Sequence, residues 1–547
     1  MSPLTRMSLA ALFVSAAFAQ TAPPSPAFEA AEVAVSPKRN VQGVRGPTLN
    51  NGLYAIKNAT MVDMISRAYG VDADKVFGGP NWLEYDRFDV IAKMPPRTSA
   101  ETAKSMFQAL LADRFMLVVR QDTQPLPAHA LTVGKGKPKL KEADGSGPPG
   151  CRGAIEGLPG PAGGGGAPVP VTVNGTPLIV YTCRNETMAA FAPFVRNMGV
   201  QQNLGSGPVE DKTGLEGAWD FTFKMSLPVR GPGLAAGENI TIQDALDKQL
   251  GLKLEPEKLP QPVITVQSVN RTPTPNAPDI SQKFPAAPAE FEVADVKPTA
   301  PDVKGASIQI PRGGRVNIRG LALKTLIQEA WSVRNDAIVG APKWIETERY
   351  DIVAKMSDEA AASGPVDLDT IWVMMRALLA DRFKLAAHME DRPGTAYNLV
   401  AAKPKLKKAD PASRTKWMPG AAPGQKLSSS QPMNYTFHNM TMAQFAETLQ
   451  YISAPGPVTD ATGLEGGYDF TLGFNPFPVA QAIAGARSGG PAGDAGPAPP
   501  GVPEASDPSG AITLFEAIEK QLGLKLEAQK RPVPVLVIDH IEKPSDN

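Results

Sequence analysis

Residues 313–356 read GGRVNIRGLALKTLIQEAWSVRNDAIVGAPKWIETERYDIVAKM, and they reappear without a gap as residues 51–94, NGLYAIKNATMVDMISRAYGVDADKVFGGPNWLEYDRFDVIAKM. Each stretch contains a helix-like apolar pattern, a Gly-x-Pro-x-Trp corner and an Arg-aromatic-Asp segment that leads into Ala-Lys-Met. We therefore interpret the chain as a tandem duplication of one domain.

The limits of the repeat divide the chain. We predict a signal peptide at 1–19, repeat 1 at 20–271, a Pro-rich linker at 272–288 and repeat 2 at 289–547. A length of 547 residues agrees with several domains, since one domain commonly has about 100–200 residues.

The N-terminus has the pattern of a secretory signal peptide. Arg6 precedes an apolar run at 7–18, and Ala-Phe-Ala at 17–19 supplies a cleavage site before Gln20. The run is too short to span a membrane, which takes about 20 apolar residues, and we see no later run that is long enough. No Cys follows the cleavage site, which argues against a lipoprotein anchor. We expect a soluble exported protein, periplasmic or extracellular.

Charge and cysteine content limit the partners. The 55 basic and 55 acidic residues balance, so the chain lacks the positive field that nucleic-acid binding requires. Cys151 and Cys183 flank a Gly/Pro-rich stretch, and Phe437 stands in copy two at the position of Cys183. In an oxidising compartment this pair predicts a disulfide. The alternative, a metal or redox pair, lacks an accompanying His or Cys cluster.

Apolar spacing predicts the same order of elements in both copies. An opening strand lies around Val33 and Val35 in copy one and at 291–298 in copy two. Two helices with one buried face follow, separated by a strand. Their predicted buried positions are Met61, Met64, Ile65, Ala68, Ala103, Met106, Phe107, Leu110 and Leu111 in copy one, and Leu323, Leu326, Ile327, Ala330, Ile371, Met374, Met375, Leu378 and Leu379 in copy two. The strand between them places Phe88, Val90 and Ala92, or Tyr350, Ile352 and Ala354, on one side.

After the second helix we predict two short strands in each copy. They lie at 117–120 and 128–133, and at 385–388 and 396–401. Gly/Pro/Ser-rich segments without periodicity follow, and we interpret them as loops that separate two lobes within each copy; they are residues 145–170 and 411–431.

The second lobe is clearest in copy two. It has a helix with a Thr441–Gln444 capping box and a last helix that begins at Thr513 and ends at Gly523, followed by a strand. A separate closing strand is predicted at 533–541, and 484–510 is a low-complexity insertion. The predicted fold class is α+β, with two homologous repeats, each of two small helix-on-antiparallel-sheet lobes.

Several motifs follow one another in a fixed order. They include Phe-Glu-Val-Ala at 291–294, the Gly-x-Pro-x-Trp corner, Leu-Leu-Ala-Asp-Arg-Phe at 378–383, Asp-x-Thr-Gly-Leu-x-Gly-x-Tyr-Asp-Phe at 460–470 and Gln-Leu-Gly-Leu-Lys-Leu-Glu at 521–527. In this order they resemble the soil-associated family of exported bacterial proteins, whose domain is of unknown function. The match covers nearly the whole mature chain twice, and copy two fits better than copy one. Related domains on membrane-bound sensor peptidases imply an extracytoplasmic sensing or binding role, although this chain has no peptidase motif.

Three sets of repeated residues are candidate functional groups. The first is Asp113-Arg114 with Asp381-Arg382, which we interpret as helix ends with the Arg near the C-terminal dipole. The second consists of carboxylates around a glycine turn: Asp211, Glu216, Asp220, Asp460, Glu465 and Asp469. Paired carboxylates suggest glycosidase chemistry, but turn carboxylates usually bond to local backbone, and we favour that structural role.

The third set is the best candidate for a functional cluster. It consists of Trp82, Arg87 and Asp89 with Trp344, Arg349 and Asp351. The structural alternative is a Trp that anchors a corner next to an Arg–Asp pair across strands, and we favour it.

No residue set meets the needs of metal, nucleophilic or cofactor chemistry. The histidines do not align between the copies, and no H-E-x-x-H, G-x-S-x-G or Walker-type sequence occurs; they are His129, His388, His438 and His540. Lys-Pro-Lys-Leu-Lys at 137–141 and 403–407 is interpreted as solvated rather than as a site for anionic polymers. We predict no catalytic residue, cofactor or metal ion.

The function expected from the sequence is non-catalytic binding or scaffolding outside the cytoplasm, with an envelope protein or peptide as the favoured partner. Two alternatives stay open. One is a polysaccharide or peptide hydrolase that uses the turn carboxylates. The other is a ligand-sensing module related to sensor-peptidase ectodomains. The oligomeric state and any joint action of the two repeats also stay open.

Overall fold

The structure is a computed structural model that describes residues 26–37, 43–50, 52–155, 172–173, 176–201, 207–226, 240–284, 289–303, 305–311, 313–358, 361, 368–420, 433–452, 456–475 and 512–544. The predicted signal peptide at 1–19 and the predicted insertion at 484–510 lie outside these residues.

The first half of repeat 1 folds into a sheet covered by two helices, which we call lobe 1A (residues 26–117). Its strands are Ala30–Val35 (β1), Arg45–Asn50 (β2), Leu53–Thr60 (β3), Val76–Gly78 (β4) and Arg87–Lys93 (β5), and its helices are Met61–Tyr69 (α1) and Ala100–Phe115 (α2). The main sheet is antiparallel with the order β1-β5-β3-β2. The predicted faces of both helices are buried against it in one core. The chain then continues into a long strand, Val118–Val133 (β6).

The second half of repeat 1, lobe 1B (residues 138–251), has the same arrangement. Its strands are Lys141–Glu142 (β7), Gly150–Ile155 (β8), Thr172–Val173 (β9), Thr176–Glu186 (β10), Val209–Asp211 (β11) and Trp219–Ser226 (β12). Its helices are Met188–Gln201 (α3) and Ile242–Asp244, which continues as the π-helical residues Ala245–Leu250 (together α4). The sheet order is β7-β12-β10-β8, and a second long strand, Leu252–Ser268 (β13), follows.

Repeat 2 has the same two lobes. Lobe 2A (residues 289–385) contains Val293–Pro298 (β14), Ser307–Gln309 (β15), Arg315–Ala322 (β16), Ile338–Val339 (β17), Arg349–Lys355 (β18), Leu323–Trp331 (α5) and Leu368–Arg382 (α6). A long strand, Ala386–Ala401 (β19), leads to lobe 2B (residues 403–523), which contains Lys407–Lys408 (β20), Lys416–Gly420 (β21), Met433–Met440 (β22), Val458–Asp460 (β23), Tyr468–Phe474 (β24), Met442–Ile452 (α7) and Leu514–Ala517 with the π-helical Ile518–Leu522 (α8). The last strand is Leu524–His540 (β25).

A two-stranded ribbon joins the two lobes of each repeat. β6 pairs antiparallel with β13, from Val118 opposite Ser268 to Val133 opposite Leu252. β13 also pairs in parallel with β4 of lobe 1A, and β6 with β11 of lobe 1B. Each lobe therefore receives, next to its own short strand, the strand that follows the last helix of the other lobe. β19 and β25 form the same ribbon in repeat 2, flanked by β17 and β23.

The ribbons correct two predictions. The strands predicted separately at 117–120 and 128–133 are one strand, as are those at 385–388 and 396–401, and the closing strand predicted at 533–541 begins at Leu524. Prolines inside these stretches suggested breaks, but a two-stranded ribbon leaves every second N–H unpaired, so Pro is tolerated there. The Gly/Pro-rich segments do not separate the lobes either, because β8 and β21 lie within them and belong to the sheets of lobes 1B and 2B.

A bulge residue with positive φ precedes the first helix of every lobe. These residues are Asn58 (φ 54°), Asn185 (49°), Gly320 (66°) and Asn439 (45°). In each lobe the register shifts at this residue, and its N–H donates to an Asp on the neighbouring strand; the pairs are Asn58–Asp89 (2.8 Å), Asn185–Asp220 (2.9 Å), Gly320–Asp351 (2.8 Å) and Asn439–Asp469 (2.9 Å). The chain thus contains the same kind of lobe four times. The two repeats recognised in the sequence each consist of two such lobes.

The segment between the repeats lies against lobe 1A. Arg114 at the end of α2 donates to Thr274 O (2.6 Å) and to Asn276 Oδ1 (2.7 Å). The carboxamide of Asn276 accepts from Val33 N and donates to Val33 O on the edge strand β1, at 3.0 Å each. A turn at Ile280–Lys283 follows. The sequence predicted that this linker would not pack, whereas its first half covers a sheet edge.

Candidate binding cleft between the repeats

The Gly-x-Pro-x-Trp corner of lobe 1A forms one wall of a cleft. Gly78 has φ +66°, and a Cβ there would lie 2.9 Å from Val266 O, so only glycine fits between the corner and the ribbon. Trp82 is buried in the core beside Phe88, with ring centroids 6.3 Å apart. The turn that contains Trp82 places Glu84 and the following Tyr85 on the outside of the lobe, toward repeat 2.

Lobe 2B docks on this corner through a short loop. Thr415 N donates to Asn81 O at 2.9 Å. Arg414 forms an ion pair with Glu84 at 2.9 Å and donates to Gly78 O at 2.8 Å. Both side chains of the ion pair are largely buried, 14% exposed for Arg414 and 23% for Glu84, so solvent screens the pair less than an ordinary surface pair.

Tyr85 is the aromatic anchor of the same contact. Its hydroxyl lies 3.4 Å from both Gln444 O and Glu447 Oε2 on α7, and its ring packs against the core of lobe 2B. Burial, reinforced by the nearby negative charge of Glu447, raises the pKa of the Tyr85 phenol above its usual range. The phenol therefore stays neutral and acts as a packing and hydrogen-bonding group.

Beside this contact, the two repeats enclose a cleft of about 540 Å³, which we call the inter-repeat cleft. Lobe 1A contributes Ser36, Asp86 and Arg87, the segment after the ribbon contributes Arg271, and lobe 2B contributes Trp417, Gln444, Glu447 and Tyr451. Arg271 forms an ion pair with Asp86, with Nη2 3.0 Å from Oδ1. Lobe 1A supplies the charged Glu84, Asp86 and Arg87 among mostly uncharged lining residues. Lobe 2B supplies two aromatic side chains, Trp417 and Tyr451, which we call the aromatic wall.

Lobe 2A has an equivalent cleft of about 530 Å³ that no second lobe lines. Its lining comes from residues 298–301, 303, 347–350 and 543–544. Arg349 stands at the position of Arg87, and the Glu348–Lys543 ion pair at that of Asp86–Arg271. Both clefts thus have an arginine next to an ion pair, which we call the Arg frame. Of the two clefts, only the inter-repeat cleft also has the aromatic wall from lobe 2B.

A scan against protein-family models matches residues 62–269 and 324–541 to a family described as "Protein of unknown function (DUF3738)". The chain belongs to this family. Each match begins in the first helix of an A lobe and ends just after a ribbon, so it covers most of two lobes and their ribbon, which together we call one DUF3738 unit. The predicted tandem duplication is therefore confirmed, and the inter-repeat cleft lies between two DUF3738 units. Neither the curated proteins nor the solved structures gave a match.

The predicted cluster of Trp, Arg and Asp is present in both DUF3738 units, but its Arg and Asp form no ion pair with each other in the described residues. Instead they hold the bulge from two sides. Asp351 accepts from Gly320 N (2.8 Å) and Thr299 Oγ1 (2.7 Å), while Arg349 donates to Gly320 O (2.6 Å). The same clamp holds Asn58 in the first unit. The cross-strand Arg–Asp pair was therefore a wrong prediction, since both residues bind the same backbone unit.

The turn carboxylates line neither cleft. Asp211 and Asp460 each accept from the N–H and hydroxyl of the Thr two residues on, with all four distances between 2.7 and 2.9 Å. Asp220 and Asp469 hold their bulges as described, and the side chains of Glu216 and Glu465 are exposed. Local backbone bonds thus account for the four aspartates, as the structural interpretation predicted.

The remaining candidates either lie at the end of a helix or bind one. Arg114 and Arg382 donate to the carbonyls of Ala31 and Ala294 on the edge strands, at 3.2 Å each, and so fix the second helix of each A lobe to its sheet. In the Lys-Pro-Lys-Leu-Lys runs, the central lysines donate to carbonyls at the end of the last helix; the bonds are Lys139–Lys248 O (2.8 Å) and Lys405–Lys520 O (3.0 Å). Capping rather than plain solvation explains the middle of each run.

The predicted disulfide between Cys151 and Cys183 is confirmed, with the two residues directly opposite each other on β8 and β10. In lobe 2B the same two positions hold Trp417 and Phe437, whose rings stack 6.3 Å apart. The first unit therefore has a covalent link where the second has an aromatic pair, of which Trp417 lines the cleft.

The described ranges contain no group of three or more His, Cys, Asp or Glu side chains placed to hold a metal ion. Among the helices in those ranges, none combines the length and apolar character of a membrane span.

Sequence reasoning named Arg87 of the inter-repeat cleft but missed the residues that enclose it. Tyr85, Arg414 and Tyr451 belong to no repeated motif, and Glu84 repeats as Glu346 without a sign of its role. The four residues are brought together only by the docking of lobes from different repeats. A sequence signal did exist for the fourfold lobe. Asn-x-Thr-Met occurs at 58–61, 185–188 and 439–442, and aromatic-Asp-apolar occurs at 88–90, 219–221, 350–352 and 468–470.

Proposed function

We propose that this chain is an exported, non-catalytic binding protein of the cell envelope or extracellular space, and that a protein or peptide segment binds in the inter-repeat cleft. The observation that carries the proposal is the difference between the two clefts. Both have the Arg frame, whereas Trp417 and Tyr451 line only the cleft between the units. Aromatic side chains with polar tips are enriched where proteins bind partners.

The edge of β1 is a poorer place for an added peptide strand. Binding at a sheet edge uses the unpaired backbone groups of the edge strand. In lobe 1A the carboxamide of Asn276 already occupies the N–H and C=O of Val33. The cleft is therefore our choice for the ligand.

The Cys151–Cys183 disulfide supports a location outside the cytoplasm, because structural disulfides persist in oxidising compartments. The predicted signal peptide supports the same location. The choice between periplasm and medium stays open in the proposal.

The contacts of the turn carboxylates favour binding over the hydrolase alternative. General acid–base chemistry needs carboxyl groups that face a substrate in a concave site. Asp220 and Asp469 accept hydrogen bonds from the N–H groups of the bulge residues, and neither side chain lines one of the two clefts. The sensing alternative is a special case of binding, in which the ligand changes how the two units dock.

The test is selection of peptide ligands from a display library on immobilised mature chain, residues 20–547. Selected peptides are then measured against Tyr451→Ala and the matched control Asn197→Ala, which changes the equivalent, exposed position of α3 in lobe 1B. We expect Tyr451→Ala to weaken binding at least tenfold and Asn197→Ala to leave it unchanged. Peptides that bind both variants like the wild type would place the site elsewhere. Hydrolysis of the bound peptides by the wild type would contradict a non-catalytic role.

A further inference from the structure

Arg87 and Arg349 stand at equivalent positions but use their N–H groups differently. Arg349 donates to two backbone carbonyls, Gly320 O and Gly305 O, at 2.6 Å each. Arg87 donates to Asn58 O at 2.8 Å, the bond equivalent to the one with Gly320. In the described part of the chain, Arg87 makes no second hydrogen bond and no ion pair.

The difference has a cause at the bulge residue. Gly305 and Gly43 lie in the loops that follow the opening strands of the two repeats. In repeat 1 the bulge residue is Asn58, and its Nδ2 donates to Gly43 O at 2.9 Å. Gly320 has no side chain, so in repeat 2 the corresponding carbonyl receives Arg349 instead. The Asn side chain thus replaces the second bond of the arginine, and the guanidinium of Arg87 borders the inter-repeat cleft with most of its donors available.

Among the described residues, none of the carboxylates that line the cleft forms an ion pair with Arg87. Asp86 is paired with Arg271, and Glu84 with Arg414 and Lys416. Glu447, the remaining carboxylate in the lining, accepts from the Tyr85 hydroxyl. Burial lowers the pKa of the Arg87 guanidinium, and the negative charge of Asp63, the capping residue of α1, only partly opposes that shift.

We propose that Arg87 binds a carboxylate of the ligand, which adds a substrate class to the function proposed above and rests on it. A guanidinium presents parallel N–H groups that match the two oxygens of a carboxylate, and a water-poor site strengthens such bonds. Trp417 and Tyr451 line the same cleft and suit an apolar or aromatic group next to the carboxylate. A peptide C-terminus and a small aromatic acid share this chemistry.

The test compares N-acetylphenylalanine with its uncharged amide by isothermal titration calorimetry on the mature chain, with benzoate as the small-acid arm. We expect the acid to bind at least tenfold more tightly than the amide. Arg87→Gln should abolish that preference. Arg349→Gln loses the same bulge contact outside this cleft, so it is the matched control and should keep the preference. Tighter binding of N-acetylphenylalanine than of benzoate indicates a peptide terminus as the source, and the reverse indicates a small acid.

A second variant keeps the charge and tests the cause. Asn58→Gly recreates the residue of repeat 2, and glycine accepts the φ of 54° without strain. Arg87 should then turn to Gly43 O, and the acid should bind several-fold more weakly although no charge has changed. Equal binding of acid and amide by the wild type, no binding of either, or a preference that survives Arg87→Gln overturns the assignment. The Tyr451→Ala comparison with selected peptides is independent of Arg87, so the proposed function can stand when this assignment falls.

Discussion

Asp469→Asn separates a structural role of the turn carboxylates from a catalytic one. Asp469 Oδ1 accepts from Asn439 N at 2.9 Å and so holds the bulge before α7. Asn439 in turn supports the docking loop, because its Nδ2 donates to Ser413 O at 2.6 Å and its carbonyl accepts from Thr415 Oγ1 at 2.9 Å. A weaker hydrogen bond at Asp469 should therefore also destabilise the docking loop that contacts repeat 1.

The magnitude follows from the change of acceptor. A hydrogen bond to a charged group contributes about 1.5–3 kcal/mol, and a neutral one about 0.5–1.5 kcal/mol. Asparagine keeps an acceptor oxygen, so we expect a loss of about 1.5 kcal/mol in the free energy of unfolding of repeat 2. For a unit of this size the melting temperature should fall by about 3–6 °C.

The assay is differential scanning calorimetry of a chain of residues 20–547, together with hydrolysis assays on glycans and peptides. The matched control is Glu465→Gln, an exposed side chain in the same turn, which should change stability by less than about 0.5 kcal/mol. Unchanged melting of Asp469→Asn would refute the clamp. A wild-type turnover that Asp469→Asn loses while keeping its melting temperature would favour the hydrolase.

Three further predictions concern the disulfide, the repeat boundary and acid stability. Replacing Cys151 and Cys183 by Ser should cost about 3.7 kcal/mol by chain entropy for a closure of 32 residues, measured by denaturant titration, and free thiols in the unreduced wild type would contradict the link. A fragment of residues 289–547 should melt cooperatively, because its two main cores consist of its own residues apart from the contribution of Tyr85, and a non-cooperative melt would indicate a shared core. Bonds from Lys248 and from the capping Thr241 lower the pKa of Asp244 to about 2, so its stabilising effect is present above the unfolded pKa of about 3.9 and is lost as the pH falls toward 2. Asp244→Asn should therefore destabilise the protein at pH 6 but not at pH 2, and an equal effect at both would contradict this.

Local sequence patterns correctly predicted the helices, but they did not predict the long ribbon strands, which depend on pairing between distant segments. The i, i+3, i+4, i+7 spacing of Met61, Met64, Ile65 and Ala68 fixed one face of α1, and all four side chains are buried. The ribbon could not be read in the same way. Pro125 lies opposite Pro260, a pair typical of a strand end, and only the pairing of distant strands makes the run continuous.

The candidate site was harder to predict for a related reason. Arg87 was recognised, because it repeats as Arg349, but its availability depends on a single difference between Asn58 and Gly320. Sequence comparison of the repeats shows that difference without showing which carbonyl each donor reaches. Trp417 and Tyr451 lie several hundred residues after Arg87 in the sequence, so no local pattern indicates that they line the same cleft.

In each repeat, a lobe pairs with a ribbon strand that follows the other lobe, so the repeat cannot complete its fold until its last strand is present. β6 is complete long before its partner β13, since the whole of lobe 1B lies between them, and lobe 1A lacks Ile264 and Val266 of its core until β13 arrives. Contacts so distant in sequence slow folding and prolong the exposure of unpaired strands. A chain that crosses a membrane N-terminus first would therefore carry each repeat as an incomplete, chaperone-accessible intermediate until its final strand emerged, and in repeat 2 that strand ends at His540.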